Sequence, residues 1–283
     1  MNLDPAWVAD LVARALAEDL GGPDGVDVTS VATIPAGQID VVDMVARAPG
    51  VVAGLPVALA VFDAVGDVTA EALVADGTAV RRGDVLATIT GPTRALLTAE
   101  RTALNLISRA SGVATHTRRW VSAIEGTGAK VLDTRKTTPG LRPLEKYAVR
   151  AGGGTNKRMG LYDVAMIKDN HKLAAGSITA AYDAVRGTFP EVPVQVEVTT
   201  VAEAVEAVAV GATFLLLDNM GPALLREVVA AVGGKAELEA TGNLTLDRAR
   251  EFAETGVDYL SVGGLTHSSP ILDIALDLRP REA

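Results

Sequence analysis

The sequence predicts a mixed α/β protein in which an N-terminal sheet domain precedes a βα barrel. After residue 130, six short apolar runs alternate with helical sequence, a pattern that favours a parallel sheet. Each of those runs is followed by polar or glycine residues, as expected where all strands end at the mouth of a barrel. Before residue 91, short β-branched runs are separated by Gly, Pro and Asp, which is typical of antiparallel strands.

The N-terminal part starts with an amphipathic helix over residues 1–20. Four acidic residues interrupt its apolar positions, which argues against a secretory signal. A turn-rich break at 21–27 then leads into an antiparallel sheet over 28–90 that contains a helix at 56–65. Residues 75–89 have the rhythm of a lipoyl or biotinyl carrier hairpin. Their turn has no lysine to carry a cofactor, so a structural hairpin is favoured.

A long helix over 92–119 separates this sheet from the six apolar runs of the C-terminal part. The runs cover residues 130–133, 164–167, 194–198, 213–217, 236–238 and 259–262. Side chains at the carboxyl ends of barrel strands all face one mouth, whereas an open doubly wound sheet places its site at one switch point. Because polar residues follow every run, the barrel is favoured over the open sheet.

Charge is distributed unevenly along the chain. The formal net charge is −9 at pH 7, yet residues 101–172 contain 14 Lys and Arg against 5 Asp and Glu. This segregation predicts a cationic cleft that attracts a small polyanion to an otherwise acidic protein. An acidic surface with only 4% aromatic residues disfavours nucleic-acid binding, because it repels phosphates and offers few stacking partners.

Further function classes are disfavoured by features that the sequence lacks. No stretch approaches the roughly 20 apolar residues that cross a bilayer, so no membrane association is expected. There is no cysteine, which removes disulfides and thiolate chemistry and is compatible with a reducing compartment. We therefore expect a cytoplasmic protein whose chemistry uses Lys, Arg, Asp, Glu, His or a metal.

Cations that follow the first runs are the strongest candidates for ligand binding. Buried cations without partners are very unfavourable, so a group of them at strand ends needs anions. The planar fork of arginine binds carboxylates and phosphates through two hydrogen bonds, and lysine adds a compact charge. The predicted anion-binding residues are Arg135, Lys136, Arg158 and Lys168, with Arg101 and Lys157 as further candidates. For any single one of them, a solvated position in a loop is the alternative.

Glu197 and Asp218 end two consecutive runs and are expected to face the same mouth. Carboxylates in a cationic site hold a divalent metal, accept hydrogen bonds from sugar hydroxyls or stabilise a developing cation. The alternative, which does not exclude these roles, is that they balance the charge of neighbouring Lys and Arg.

Glycines and histidines add weaker signals. Gly242, Gly263 and Gly264 follow the last two runs, where barrels often bind phosphate through loop amides. His171 and His267 adjoin strand-end loops and are better functional candidates than the third histidine, for which a structural role on a helix is expected. The three have no zinc-site spacing.

Six motifs are similar to those of the quinolinate phosphoribosyltransferase family, also called carboxylating nicotinate-nucleotide pyrophosphorylases. They are ERTALN at 100–105, DTRKTTPGLRPLEKYAV at 133–149, GGGTNKRMGL at 152–161, IKDNH at 167–171, LDNM at 217–220 and SVGGLTHS at 261–268. The resemblance runs nearly end to end, and the motifs are highly specific when taken together.

The resemblance implies an N-terminal α/β open sandwich joined to an incomplete, six- or seven-stranded βα barrel. We expect the sandwich at 1–108 and the barrel at 109–268, with a C-terminal helix at 269–283 packed back on the sandwich. The family implies a homodimer that uses Mg²⁺ and joins quinolinate to phosphoribosyl pyrophosphate. The products are nicotinate mononucleotide, pyrophosphate and carbon dioxide, in a step of NAD biosynthesis.

The resemblance also implies roles for individual residues. Expected substrate-binding residues are Arg101, which reaches in from the partner subunit, and Thr134, Arg135, Lys136, Lys157, Arg158, Lys168 and His171. Expected catalytic residues are Lys136, Lys168, Glu197 and Asp218, of which the two carboxylates are also the expected partners of Mg²⁺ bound to pyrophosphate. Expected phosphate-binding residues are Thr241, Gly242, Asn243, Val262, Gly263, Gly264 and His267.

Two positions depart from the family pattern. The family usually has histidine where this chain has Lys157, and an acidic residue is frequent where it has Gln195. The lysine keeps the pocket positive and is expected to preserve carboxylate binding, and the change at Gln195 is expected to be benign. Lys157 also keeps open a molybdenum-utilisation paralogue of the same family that acts on another anion.

Two further alternatives come from other classes of protein. A barrel aldolase that forms a Schiff base through Lys168 would be trapped by borohydride in the presence of a carbonyl substrate. A non-catalytic anion-binding protein or carrier module is suggested by the hairpin at 77–83. Turnover of quinolinate with release of pyrophosphate would exclude this second alternative.

Overall fold

A computed structural model describes residues 3–281 of the protein. Along the chain the elements are α1 (Pro5–Leu20), α2 (Val28–Thr33), β1 (Ile39–Ala46), β2 (Gly50–Val51), α3 (Leu55–Val65), β3 (Thr69–Ala72), β4 (Ala79–Val80), β5 (Val85–Pro92), α4 (Thr93–Ala123), β6 (Lys130–Leu132), α5 (Arg142–Ala151), β7 (Ala165–Ile167), α6 (Asp169–Ala175), α7 (Ile178–Thr188), β8 (Val194–Val198), α8 (Val201–Ala209), β9 (Phe214–Asp218), α9 (Pro222–Val232), β10 (Glu237–Thr241), a 3₁₀ turn (Leu246–Arg248), α10 (Ala249–Ala253), β11 (Tyr259–Ser261), α11 (Gly264–His267) and β12 (Ile274–Leu278). No helix of the described chain is long and apolar enough to cross a membrane.

The chain divides into two compact units. The first contains the chain up to His116, residues Pro143–Gly153 and the chain from Ser268 onward. The second contains Thr117–Arg142 and Gly154–His267. The expected division between residues 108 and 109 therefore differs from the observed one, both in its position along α4 and in the assignment of α5.

Side chains of α5 explain why this helix belongs to the first unit. The Arg109 guanidinium of α4 lies 2.7 Å from the fully buried carboxylate of Glu145. The Tyr147 hydroxyl donates a hydrogen bond to Asp76 at 2.6 Å, and Asp76 also accepts from the first amides of α3. Polar contacts inside the first unit thus hold a segment that the sequence pattern had placed in the barrel.

The first unit contains an antiparallel sheet with the strand order β12-β1-β5-β3. Met44 of β1 is fully buried and lies opposite Ala87 of β5 and Leu276 of β12. The predicted antiparallel sheet is confirmed, and so is the predicted helix at 56–65, which is α3.

Two elements of this unit differ from the sequence prediction. Residues 28–33, expected in the sheet, form α2 because the Asp27 carboxylate accepts hydrogen bonds from the first backbone amides of the helix. The helix expected at 269–283 is wrong, because its described part contains the strand β12, which pairs with β1. Apolar residues occupy alternate positions from Ile274 to Leu278, and a period of two fits a strand rather than a helix.

The second unit contains a parallel sheet of six strands in the order β6-β11-β10-β9-β8-β7. All six apolar runs of the sequence form these strands, as predicted. Within residues 3–281 the edge strands β6 and β7 do not pair with each other, so the barrel is incomplete. Helices α7 to α10 follow or connect successive strands, as a βα arrangement requires.

Candidate active site

The carboxyl ends of the parallel strands surround a cavity of about 360 Å³ in the second unit. Successive residues of a strand point to opposite faces, so positions two apart line the cavity together. Leu216 and Asp218 of β9 follow this rule, as do Glu239 and Thr241 of β10. The intervening residues of both strands are buried on the other face of the sheet.

Charge distinguishes this cavity from a larger one. A cavity of about 970 Å³ in the first unit is lined mainly by aliphatic side chains of α1 and α3, and no lysine or arginine is among its described lining residues. The smaller cavity has five such residues in its lining, namely Arg135, Lys136, Lys157, Arg158 and Lys168. The smaller cavity is therefore the candidate for chemistry on an anion.

The loop after β6 presents Thr134, Arg135 and Lys136 to the cavity. Arg142 fixes the shape of this loop by donating hydrogen bonds to the Arg135 carbonyl at 3.3 Å and to the Thr137 hydroxyl at 2.9 Å. The Lys136 amide donates to the Thr134 hydroxyl at 3.1 Å. The buried Nε of Arg135 has no acceptor among the described residues, so this guanidinium keeps a donor for a ligand.

Arg158 brings a second guanidinium to the cavity. One of its nitrogens donates to the Val164 carbonyl at 3.1 Å, and another lies 3.3 Å from the Met166 sulfur. Burial lowers the pKa of Arg158 from its ordinary value, and the charge of Arg135 lowers it further. Among residues 3–281, neither arginine has a carboxylate oxygen within 4.0 Å. Two neighbouring cations without a carboxylate at ion-pair distance favour an anionic ligand.

Glu197 and Asp218 form an acidic pair on adjacent strands. Glu197 is only 9% exposed, and its Oε2 lies 3.9 Å from Nζ of Lys168. Burial raises the pKa of Glu197, while Lys168 opposes this effect and the charge of Asp218 adds to it. The side-chain amide of Asn219 donates to Asp218 at 2.8 Å.

This acidic pair also fits a magnesium ion. No group of three His, Cys, Asp or Glu in the described chain forms a metal site made of protein ligands alone. Mg²⁺ commonly binds through one or two carboxylates together with substrate phosphates. Glu197 and Asp218 repel each other, and they would supply the two carboxylates that such a site takes from the protein.

Lys157 lines the same cavity but has a partner inside the protein. Its ammonium pairs with the carboxylate of Glu239, which is fully buried, and lies 5.4 Å from the centre of the Phe214 ring. The side-chain amide of Gln195, also fully buried, donates to the same Glu239 oxygen at 2.7 Å. Burial lowers the pKa of Lys157, and the neighbouring Glu239 carboxylate opposes this effect. The charge of Lys157 is thus balanced by Glu239.

Asparagine side chains join the loops after β9 and β10. Asn243 donates to the side-chain oxygen of Asn219 at 3.1 Å, and both residues have left-handed backbones, with φ of 52° and 55°. Gly242 has φ of +85°, and a Cβ there would lie 2.2 Å from the same oxygen of Asn219, so a larger residue would displace it. The loop at 241–243, which we expect to bind phosphate, is therefore held against the loop after β9.

The loop after β11 lies against Lys136. A Cβ on Gly263 would lie 2.9 Å from Cδ of Lys136 and 3.3 Å from Nε2 of His267, so the glycine permits this close approach. The Thr266 hydroxyl donates to the Lys136 carbonyl at 2.8 Å. The expected phosphate-binding residues at 262–264 consequently adjoin the cationic loop after β6.

Two expected substrate-binding residues do not line the cavity, and of the expected phosphate-binding residues only Thr241 and Gly263 do. Nδ1 of His171 accepts a hydrogen bond from the Lys168 amide at 2.9 Å, so this exposed residue caps α6. Arg101 is exposed on α4 in the first unit. Their roles in substrate binding stay predictions.

Family models for both domains of quinolinate phosphoribosyl transferase match the chain, the N-terminal domain at residues 27–111 and the C-terminal domain at residues 113–277. The chain belongs to the quinolinate phosphoribosyl transferase family. All described residues that line the cationic cavity, from Thr134 to Gly263, lie within the match to the C-terminal domain.

Individual members of this family are similar to the chain over almost its whole length. The carboxylating nicotinate-nucleotide pyrophosphorylase of Mycobacterium leprae (strain TN) is 49% identical over 275 residues, which are 95% of this chain and 96% of that protein. The decarboxylating quinolinate phosphoribosyltransferase 1 of Nicotiana glauca is 38% identical, over 95% of this chain and 81% of that protein. The structure of the nicotinate-nucleotide pyrophosphorylase from Francisella tularensis matches with a TM-score of 0.94 at 34% identity, over 98% of both chains.

In this member of the quinolinate phosphoribosyl transferase family, sequence reasoning found the cations of the cavity but missed the residues that hold them. Asn219 and Glu239 were expected at the mouth only as polar strand ends without a role, Arg142 was given no role, and the change at Gln195 was expected to be benign. One signal was present for Glu239, because its place in a short strand, two positions before Thr241, directs it toward the mouth. Gln195 carries the same signal, because it lies two positions before Glu197 in β8, but its contact with Glu239 crosses β9 and depends on the strand order.

Proposed function

We propose that this protein is a quinolinate phosphoribosyltransferase. It transfers a phosphoribosyl group from phosphoribosyl pyrophosphate to quinolinate and forms nicotinate mononucleotide, pyrophosphate and carbon dioxide in NAD biosynthesis. The observation that carries the proposal is the cavity in which Arg135 and Arg158 have no carboxylate within 4.0 Å among the described residues, beside the acidic pair of Glu197 and Asp218. A doubly charged aromatic acid and an activated pentose need these two kinds of group next to each other.

The cationic residues are proposed to hold quinolinate and the neighbouring phosphates. Arginine binds a carboxylate through two hydrogen bonds, so Arg135 and Arg158 suit the two carboxylates of the acid. Lys136 and Lys168 add compact charges that face the departing pyrophosphate, and the Thr134 hydroxyl adds a polar contact.

Glu197 and Asp218 are proposed to act on the ribose. As the bond between the anomeric carbon and pyrophosphate breaks, positive charge develops on that carbon, and carboxylates in a cavity of low dielectric stabilise it. The pyridine nitrogen supplies the electron pair for the new bond and becomes positively charged. The bond from the ring to its 2-carboxylate then breaks, its electron pair stays on the ring next to the charged nitrogen, and a proton takes the place of carbon dioxide.

Mg²⁺ is proposed as the cofactor. Glu197 and Asp218 would hold it together with oxygens of the pyrophosphate group, in keeping with the preference of Mg²⁺ for few protein ligands. When bound, the ion neutralises charge that develops on the leaving pyrophosphate. Lys136 and Lys168 add to the same effect from the cavity wall.

The two glycine loops are proposed to bind the 5-phosphate of the sugar. They contribute Thr241, Gly242, Asn243, Val262, Gly263, Gly264 and His267. Loop amides at the end of barrel strands commonly hold phosphate, and the close packing of Gly242 and Gly263 against neighbouring side chains supports a fixed shape for these loops.

A homodimer is proposed in which Arg101 completes the site of the partner subunit. Its support is the exposure of Arg101 on α4 together with its place in a family motif. An exposed guanidinium suits the recognition of a carboxylate or phosphate on a second copy of the chain. The cytoplasmic location stays a prediction from the sequence.

The other functions weighed from the sequence are not favoured. Lys157 was the main support for a molybdenum-utilisation paralogue, and its charge is balanced by Glu239 inside the protein. The relatives from Mycobacterium leprae and Nicotiana glauca are both named for the nicotinate-nucleotide reaction or for quinolinate. Trapping with borohydride remains the test of an aldolase that uses Lys168.

The deciding experiment measures consumption of quinolinate with and without phosphoribosyl pyrophosphate, followed by identification of the nucleotide formed. We expect consumption only when both substrates and Mg²⁺ are present, with one pyrophosphate and one carbon dioxide for each nicotinate mononucleotide. Failure to consume quinolinate under these conditions would overturn the proposed function.

A further inference from the structure

Three side chains that the proposed mechanism leaves without a role meet at the cavity wall. Glu239 and Gln195 are fully buried, and the side chain of Lys157 is 8% exposed. The ammonium of Lys157 and the amide of Gln195 both donate to Oε2 of Glu239. We call these three residues the wall cluster. Lys157 and Glu239 line the cavity. Gln195 does not line it and contacts the other two through its hydrogen bond to Glu239.

Hydrogen-bond donors are scarce in the wall cluster. In the described part of the chain, Oε1 of Glu239 and Oε1 of Gln195 are both buried and have no hydrogen-bond partner. A buried carboxylate with one oxygen unbonded depends strongly on the donors that reach the other oxygen. Removing the ammonium of Lys157 would leave the Gln195 amide as the remaining donor to Oε2 and would leave the negative charge without its counterion.

The charges of the wall cluster cancel one another. Lysine at position 157 supplies a positive charge, and glutamine at position 195 avoids the second negative charge that an acidic residue would bring. One ammonium, one carboxylate and one amide sum to a neutral group. An acidic residue at 195 would instead place two buried carboxylates beside one cation, which is unfavourable because like charges repel strongly in a low dielectric.

We propose that Gln195 and Glu239 are positioning residues that act through Lys157, so that the wall cluster forms a neutral wall of the substrate site. This inference rests on the proposed function, in which Arg135 and Arg158 supply the charges that bind the dianion. Lys157 then shapes the wall and keeps the charge of Glu239 balanced, and it is not a third binding charge. The residues at 157, 195 and 239 are therefore energetically coupled.

A double-mutant cycle tests this coupling. Lys157→Met keeps an unbranched apolar stem, removes the ammonium and leaves the Glu239 charge facing the dianion, so we expect KM for quinolinate to rise about tenfold or more. Lys157→Met combined with Glu239→Gln restores a neutral wall, and KM should return to within about threefold of the wild-type value. Glu239→Gln alone leaves the ammonium unbalanced beside the dianion, so KM should fall.

Matched controls come from the exposed segment that begins β10. Lys235→Met and Glu237→Gln make the same chemical changes on exposed residues that do not line the cavity, and neither should alter KM. A double variant whose KM stays as high as that of Lys157→Met would overturn the inference, because it would make the ammonium itself a binding group. An unchanged KM in Lys157→Met, or a KM that does not fall in Glu239→Gln, would overturn it as well.

Thermal unfolding without substrate separates this inference from the proposed function. Lys157→Met should lower the melting temperature by several degrees, since it leaves a buried carboxylate uncompensated, and adding Glu239→Gln should recover most of the loss. This cycle holds for the wall cluster even if wild-type protein fails to consume quinolinate, which would overturn the function alone. Melting losses that simply add in the double variant would overturn the coupling.

Discussion

Both units contain arginine side chains next to β-strands, but the arginines of the two units differ in whether a carboxylate of the protein pairs with them. In the first unit Arg281 donates two hydrogen bonds of 2.8 Å to the buried carboxylate of Asp40, and the chain after β12 is thereby tied to β1. In the second unit Arg135 and Arg158 lie in a cavity, and in the described chain neither has a carboxylate within 4.0 Å. Cations that the fold pairs contribute to stability, whereas cations that it leaves unpaired are available to a ligand.

Lys157 shows that position alone does not assign a cation to either group. It lines the same cavity as the two arginines, yet its ammonium is paired with Glu239, as Arg281 is paired with Asp40. The presence of a protein counterion, rather than a place in the cavity, is what separates the two groups. Three substitutions test this separation, and the largest effect is expected in the first unit.

Arg109→Met breaks a well buried arginine–carboxylate pair of the first unit, whose side chains are 18% and 0% exposed. Arg109 donates two hydrogen bonds to Glu145, which is fully buried, so the substitution leaves that carboxylate without its guanidinium. We expect the free energy of unfolding to fall by about 3 kcal/mol or more, measured by urea unfolding. KM for quinolinate in the folded variant should change little.

The control for this substitution is Arg14→Met on α1. Arg14 pairs with Asp10 at the surface, where both side chains are more than half exposed, and such pairs add little stability. A loss of stability in Arg14→Met as large as that in Arg109→Met would contradict the assignment of a structural role from burial and pairing.

Arg135→Ala tests the opposite case, a cation without a counterion. The substitution removes a guanidinium that is proposed to bind a carboxylate of quinolinate, so KM should rise about 30-fold, or about 2 kcal/mol. The melting temperature should hold or rise, because the change relieves repulsion between Arg135 and Arg158. Steady-state kinetics and thermal unfolding of the same preparation give both quantities.

Arg281→Ala is the matched control, because it removes a paired guanidinium from the first unit. It should lower the melting temperature slightly and leave KM unchanged. If Arg135→Ala lowered the melting temperature as severely as it impaired catalysis, Arg135 would belong with the structural arginines and the comparison between the two groups would fail.

The sequence predicted the second unit better than the first. Its six strands are short apolar runs with polar ends, a local pattern that needs no knowledge of partners, and the cations at those ends were found for the same reason. In the first unit, the C-terminal segment was expected to be a helix, and its strand depends on pairing with β1 more than 200 residues earlier in the chain. Pairing over such a distance leaves only a weak period-two signal in a five-residue segment.

The roles of single side chains in the site were harder to predict than the strands. Lys157 and Arg158 are adjacent in sequence, both basic and both in the cavity lining, yet one is paired with Glu239 and the other donates to the Val164 carbonyl. The pairing follows from the register of β8, β9 and β10, which brings Gln195 and Glu239 together. Residue type and spacing along the chain do not encode that register.

The smallest effect is expected at Asp40, and it depends on pH. The hydrogen bonds from Arg281 hold the pKa of Asp40 below its ordinary value, and the Thr93 hydroxyl, which donates at 2.6 Å, lowers it further. A carboxyl whose pKa is lower in the folded state stabilises the fold fully above its unfolded pKa of about 4. That contribution is lost as the pH falls through the folded pKa, because the native carboxylate must then take up a proton.

Asp40→Asn should therefore be less stable than wild type at pH 7, and the difference should shrink as the pH is lowered from 5 to 3. Urea unfolding of both proteins over this range measures the difference. Asp43, which lies on the same strand as Asp40 and pairs with Arg279, is unchanged in both proteins and serves as an internal reference. A difference that stayed constant down to pH 3 would mean that the contribution of Asp40 does not come from its charge. Arg281 would then be held by packing, and its contrast with Arg135 and Arg158 of the cavity would no longer rest on counterions.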